Sequence, residues 1–171
     1  RNAREALEFI TEKPNGRHKV GFRRTAASAA DGLPASTVLE VLNDDMPFLV
    51  DSALGEIRAR GLAVAGLQHP IFKTRRDRSG RLQSIEGPGD DNWADGHQES
   101  YIAVQLPALS EAAAADLGAA ISAILAQVRV VVADWKPMLQ HIKSAIGGLE
   151  SAPASIPPPL LLESVAFLEW L

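Results

Sequence analysis

The stretch TVLEVLNDDMPFLVDSALGEI, residues 37–57, constrains the fold more than any other because its hydrophobic period changes in the middle. TVLEVL (37–42) alternates and is rich in β-forming residues, which predicts a strand. Val50, Ala53, Leu54 and Ile57 then recur at helical spacing, with Asp51, Glu56, Arg58 and Arg60 on the other side and Gly61 as the expected stop. Asn43, Asp44 and Asp45 fill the join, followed by Pro47. A carboxylate accepts the orphan N–H groups of a first turn and proline needs no donor there. The spacing therefore predicts that Asp44 or Asp45 caps a helix beginning near Pro47.

The flanking pattern extends this unit. NAREALEFITEK reads as a helix, HKVGFRR (18–24) as a strand, and TAASAADGLPAS as a loop of small residues. LAVAGLQHPIFKTRR (62–76) is a strand that Pro70 interrupts, which places it at a sheet edge or bulge because proline cannot donate to a ladder. DRSG turns the chain into a short return arm, RLQSIEG, and PGDDNWADGH (88–97) is a loop. ESYIAVQL (99–106) is the next strand, and Ser110 caps a long helix. Leu117, Ile121, Ile124, Val128, Val131, Trp135, Met138 and Ile142 alternate spacings of four and three, a sustained apolar seam. Pro137 is expected to kink or break that helix and Gly147-Gly148 to end it. Strand, helix, strand, strand, helix defines an α+β, ferredoxin-like antiparallel sheet with helices on one face, plus a long C-terminal helix. We divide the chain into an N-terminal helix and strand (1–36), the α+β domain (37–148), and a proline-rich linker with the start of another helix (149–171).

At 171 residues, 46% hydrophobic and 22% charged, the chain can bury one sizeable core. A net charge of −4 gives no global reason to expect nucleic acid or an anionic membrane as a partner. No apolar run reads as long enough to span a bilayer, and no signal peptide opens the sequence. The absence of cysteine removes thiol and disulfide chemistry and fits a reducing compartment. Arg1 at the start and an unfinished amphipathic pattern at the end lead us to expect a piece of a larger protein.

Catalytic machinery is sparse in the sequence. His18, His69, His97 and His141 lack metal-ligand spacing, no glycine-rich phosphate loop follows a strand, and GDDNWADG lacks the alternation of a calcium loop. Lys73, Arg75, Arg76, Arg78 and Arg81 read as charges that keep a hairpin soluble and protect a sheet edge. The join is more informative. A helix N-terminus with adjacent carboxylates offers partners for both the carboxylate and the ammonium of an amino acid, although capping is the simpler use of the same residues.

Strand, Asp45-Met46-Pro47, helix, glycine, strand resembles an ACT domain, an amino-acid-sensing module of ferredoxin-like fold. More narrowly, VLNDDMPFLVDSALGEI, GLAVAGLQHPIFKTRRDRSGRL, ESYIAVQL, VRVVVADWKPM and FLEWL resemble the N-terminal region of the very large bacterial NAD-specific glutamate dehydrogenases. The resemblance covers most of residues 37–171. It implies a cytoplasmic, homo-oligomeric parent enzyme that converts L-glutamate to 2-oxoglutarate and ammonia with NAD. Catalytic lysine and dinucleotide domain would lie downstream, so no catalytic residue and no cofactor is assigned to this stretch. One position departs: amino-acid-binding ACT domains usually carry glycine after the proline, where this chain has Phe48.

The leading expectation is a non-catalytic regulatory or assembly domain of such an enzyme. Asn43, Asp44, Asp45 and Phe48 are its candidate ligand-binding or helix-capping residues. Val131, Trp135, Met138 and Ile142 are candidate interface residues, facing downstream domains of the same chain or a second subunit. An amino-acid effector is the small-molecule partner this reading admits; metal, nucleic acid and membrane are not expected. The alternative is a stand-alone amino-acid-binding module. A complete enzyme within the chain fails for want of clustered catalytic groups.

Overall fold

A computed structural model describes residues 2–28, 32, 34–86, 96–150 and 156–170. The elements are α1 (Asn2–Ile10), β1 (Lys19–Thr25), β2 (Ser36–Asp44), α2 (Leu49–Ala59), β3 (Gly66–Gln68), β4 (Ile71–Arg76), β5 (Leu82–Ile85), β6 (His97–Pro107), α3 (Glu111–Glu150) and α4 (Pro158–Trp170). Most of the expected 88–97 loop and of the proline-rich linker lies outside the described residues. The chain forms two compact units, Arg1–Arg129 and Val130–Leu171.

The first unit carries the expected ACT-like α+β fold. Its sheet runs β1-β2-β6-β4-β5 with every pair antiparallel, and β3 also pairs with β6. The expected edge strand is broken where Pro70 stands, giving β3 before it and β4 after it along the same flank of β6. Strand β1 takes the place beside β2 that a final strand after the second helix would otherwise fill. The N-terminal strand thus completes the sheet, and among the described residues α3 is followed by α4 rather than by a returning strand.

Register sorts the two faces. Leu39 pairs with Val104 and Val41 with Ile102, and all four are fully buried. Ala53 and Ile57 of α2 and Leu117, Ile121 and Leu125 of α3 are equally sealed. Each such leucine, isoleucine or valine contributes about 1.5–3 kcal/mol. The alternate positions Leu42, Tyr101 and Ala103 form a second cluster with Ile10, joined by Ala6, Phe9 and Phe72. Helix α1 therefore covers part of the opposite face, and the helices are not confined to one side. Its ring Phe9 lies so close to Gly21 that a Cβ there would collide with it.

Helix ends follow local chemistry. At Gly61 (φ +70°) the Leu62 amide donates to the Ile57 carbonyl (3.2 Å) and the Gly61 amide to Arg58 (2.9 Å), the pattern that a left-handed residue permits. The Ser110 hydroxyl accepts the Ala113 amide at 3.2 Å, as expected. Pro137 does not break α3, and the expected stop is corrected: the helix runs past Gly147-Gly148 to Glu150. A second correction concerns length, since Glu111–Leu149 is long and apolar enough to cross a membrane by composition alone. The few charges in this alanine- and valine-rich stretch are too dilute to interrupt it.

Candidate functional site

Strand β2 ends in Asn43 and Asp44, both carried to the rim of the sheet by its buried apolar residues. Asn43 is 1% exposed, and its Oδ1 accepts a 2.6 Å hydrogen bond from the Arg129 guanidinium. Asp44 sits between two cations: Lys13 Nζ donates at 2.5 Å and Arg129 Nη1 at 3.0 Å. The Lys13 ammonium, whose side chain is 2% exposed, also reaches Glu99 of β6 at 3.2 Å. Glu99 in turn accepts hydrogen bonds from Nε and Nη2 of Arg76, each at 2.8 Å. Arg76 spends its other donors on the carbonyls of Ile10 (2.8 Å) and Gly80 (2.9 Å). Arg129, Asp44, Lys13, Glu99 and Arg76 form one chain of alternating charge across α3, β2, the segment after α1, β6 and β4.

The electrostatics follow from that order. Burial pushes the Asp44 carboxyl up, but the Lys13 and Arg129 hydrogen bonds outweigh it and hold the group below its ordinary value. At Glu99 the same burial is outweighed by Arg76 and Lys13, again lowering the carboxyl. Burial, with the Arg129 charge second, lowers His18. An open cleft of about 430 Å³ lies over the chain, lined by Lys13, Asp44, Arg76, Arg78, His97 and Glu99. Asp44 and Glu99 on its wall are each matched by two cations, and the third carboxylate, Asp77, accepts from the Ser79 and Gln83 side chains and from the Ser79 and Arg81 amides, so none is left as a free general acid or base. What the arrangement does is fasten elements together.

Asp45 turns the other way. It accepts the Ser100 hydroxyl at 2.5 Å, and Ser100 Oγ lies 3.0 Å from His69 Nε2. The one hydroxyl proton goes to the carboxylate, so His69 must donate to Ser100 rather than take its proton. Ser100 is fully buried. The trio resembles a nucleophile relay in composition only; it pins the β2–α2 join to β6 and to the β3–β4 break.

The capping expectation is corrected. Neither Asp44 nor Asp45 bonds a helix N–H: their side-chain partners are Lys13 and Arg129, and Ser100. The helix begins later than expected, at Leu49, with Phe48 at the capping position and no side-chain cap. Asp44 and Asp45 are drawn away by stronger charged and buried partners. Phe48 adopts φ +70°, the left-handed conformation that glycine takes without strain, and its ring is 56% exposed. The backbone here is that of a glycine site carrying a phenylalanine.

Sequence reading found Asn43, Asp44, Asp45 and Phe48, which the structure gathers at one end of β2. It missed Lys13, His69, Glu99, Ser100 and Arg129, and it placed Arg76 among solubility charges. Glu99 did carry a signal, since it alternates with apolar residues on a strand buried on both faces. The candidate interface residues Val131, Trp135 and Met138 are about half exposed and Ile142 is half-buried.

The fold and its join define an ACT-type α+β module in which Lys13, Asp44, Arg76, Glu99 and Arg129 are paired with one another. Residues 1–121 match the family described as glutamate dehydrogenase, ACT1 domain, and the chain belongs to that family. It is 35% identical over 137 residues, 79% of its length, to the NAD-specific glutamate dehydrogenase of Halomonas elongata. It is 35% identical over 136 residues to that of Pseudomonas aeruginosa. The chain spans 8% of the length of each of these relatives. At the β2–α2 join the helix N-terminus carries the exposed Phe48 rather than the glycine-rich turn that a Rossmann-type fold sets against a pyrophosphate.

Proposed function

We propose that this chain is a non-catalytic regulatory or assembly domain of a cytoplasmic, homo-oligomeric NAD-dependent glutamate dehydrogenase. The parent would convert L-glutamate to 2-oxoglutarate and ammonia, with NAD bound elsewhere in the polypeptide. The observation that carries this reading is the mutual pairing of five charged groups at the rim of the sheet: Lys13, Asp44, Glu99, Arg76 and Arg129 tie five segments together. Such a staple suits a module that transmits or maintains geometry rather than one that moves protons.

Two measurements test it. Mixed with glutamate and NAD, the chain is expected to form no NADH, and enzyme-dependent NADH formation across preparations would refute the reading. A thermal-shift series against amino acids separates sensing from scaffolding, because a ligand that prefers the native state raises its melting temperature. The exposed, glycine-like Phe48 supports the scaffold version, for which no amino acid shifts the melt.

A further inference from the structure

The second unit leaves many of its large apolar residues exposed. Helix α4, PPLLLESVAFLEW, has only Glu163, Ser164 and Glu169 as polar positions, so it is apolar on every side. A helix of that kind is normally buried. Here none of its residues is buried: Leu162 is 71% exposed, Phe167 58% and Trp170 79%. Along α3, Val131, Trp135 and Met138 continue the stripe whose earlier members Leu117, Ile121 and Val128 are buried in the first unit. Apolar surface of this extent marks an interface.

We propose that the faces of α3 beyond Val130 and of α4 are a docking surface for another folded part of a longer polypeptide. The proposal rests on the family reading but not on the regulatory role. The family match ends at residue 121, so this unit lies outside the ACT1 domain, and most of each relative's length lies outside the matched stretch. A partner in the same chain acts at an effective concentration of about millimolar, which a separate copy reaches only at comparable protein concentration. A bilayer suits the surface poorly. Helix α4 has 13 residues, short of the roughly 20 needed to span. The first half of α3 is already spent on the sheet, and its second half carries Asp134, His141 and Lys143.

Hydrogen exchange compares the 171-residue chain at low concentration with the full-length polypeptide that contains it. In the full-length protein, amides of 131–149 and 158–170 should exchange at least tenfold more slowly, while those of 117–128 exchange alike in both. Equal rates would overturn the proposal. So would protection of the short chain that grows with its own concentration, which assigns the surface to a second copy. Protection that appears only with phosphatidylcholine–phosphatidylglycerol vesicles would overturn it in favour of a membrane. As a second measurement, Trp135→Asp with Phe167→Asp should leave the short chain's melt unchanged and remove the extra protection in the full-length protein. These readouts are independent of NADH formation and of amino-acid shifts, so failure here is distinguishable from failure of the proposed function.

Discussion

Lys13→Met is the sharpest test of the charge chain. The thioether keeps the length and apolar stem of lysine but removes the cation between Asp44 (2.5 Å) and Glu99 (3.2 Å). Deleting one partner of a buried pair costs about 3–5 kcal/mol when the other is stranded. Neither carboxylate is fully stranded here. Glu99 keeps both Arg76 bonds, and Asp44, with its side chain 35% exposed, keeps Arg129 and access to water. We therefore expect a loss of about 2 kcal/mol, or about 8 °C in melting temperature for a unit of this size. The assay is urea and thermal unfolding followed by circular dichroism across pH. Asp44 and Glu99 have lowered folded pKa values, so the unfolded chain takes up protons first as acid is added. Their stabilisation is complete above about pH 5 and declines as pH falls until the folded carboxyls protonate. The gap between parent and variant should close over that range. A loss below about 0.5 kcal/mol, the worth of an exposed pair, would refute the reasoning. So would a gap that does not depend on pH.

Phe48→Gly removes a half-exposed ring but relieves a left-handed phenylalanine. The two effects should cancel to within about 1 kcal/mol in a thermal melt, where a buried phenylalanine would cost about 3–5. Gly80→Ala behaves in the opposite way. At φ +86° a Cβ there would strike the Lys13 carbonyl, and the Gly80 amide and carbonyl pair with Asp77 and Lys13. Denaturant unfolding should show a loss of well over about 1 kcal/mol.

Much of the architecture was legible in the sequence because it rests on short-range chemistry. The period change at residues 37–57, the break at Pro70, the Gly61 stop and the Ser110 cap all depend on neighbours a few residues away, and each is where the pattern put it. The join was located but misjudged. Local spacing favours capping, and nothing within ten residues of Asp44 shows that Lys13 lies 31 residues away and Arg129 85 residues away, both within bonding distance. The same limit hid the pairing of Asp45 with Ser100, 55 residues distant.

Sequence alone determined which segments are strands and helices, because propensity, period and turn residues act locally. Tertiary structure decided what the charged residues do. It placed β1 where a last strand would close the sheet and laid α1 over the second face. It buried Leu117, Ile121 and Val128 of one apolar seam and left Val131, Trp135 and Met138 exposed. A side chain's pattern records that it must be buried or paired. Only the chain's path in space supplies the partner, since electrostatic and packing energies depend on distance and not on separation in sequence.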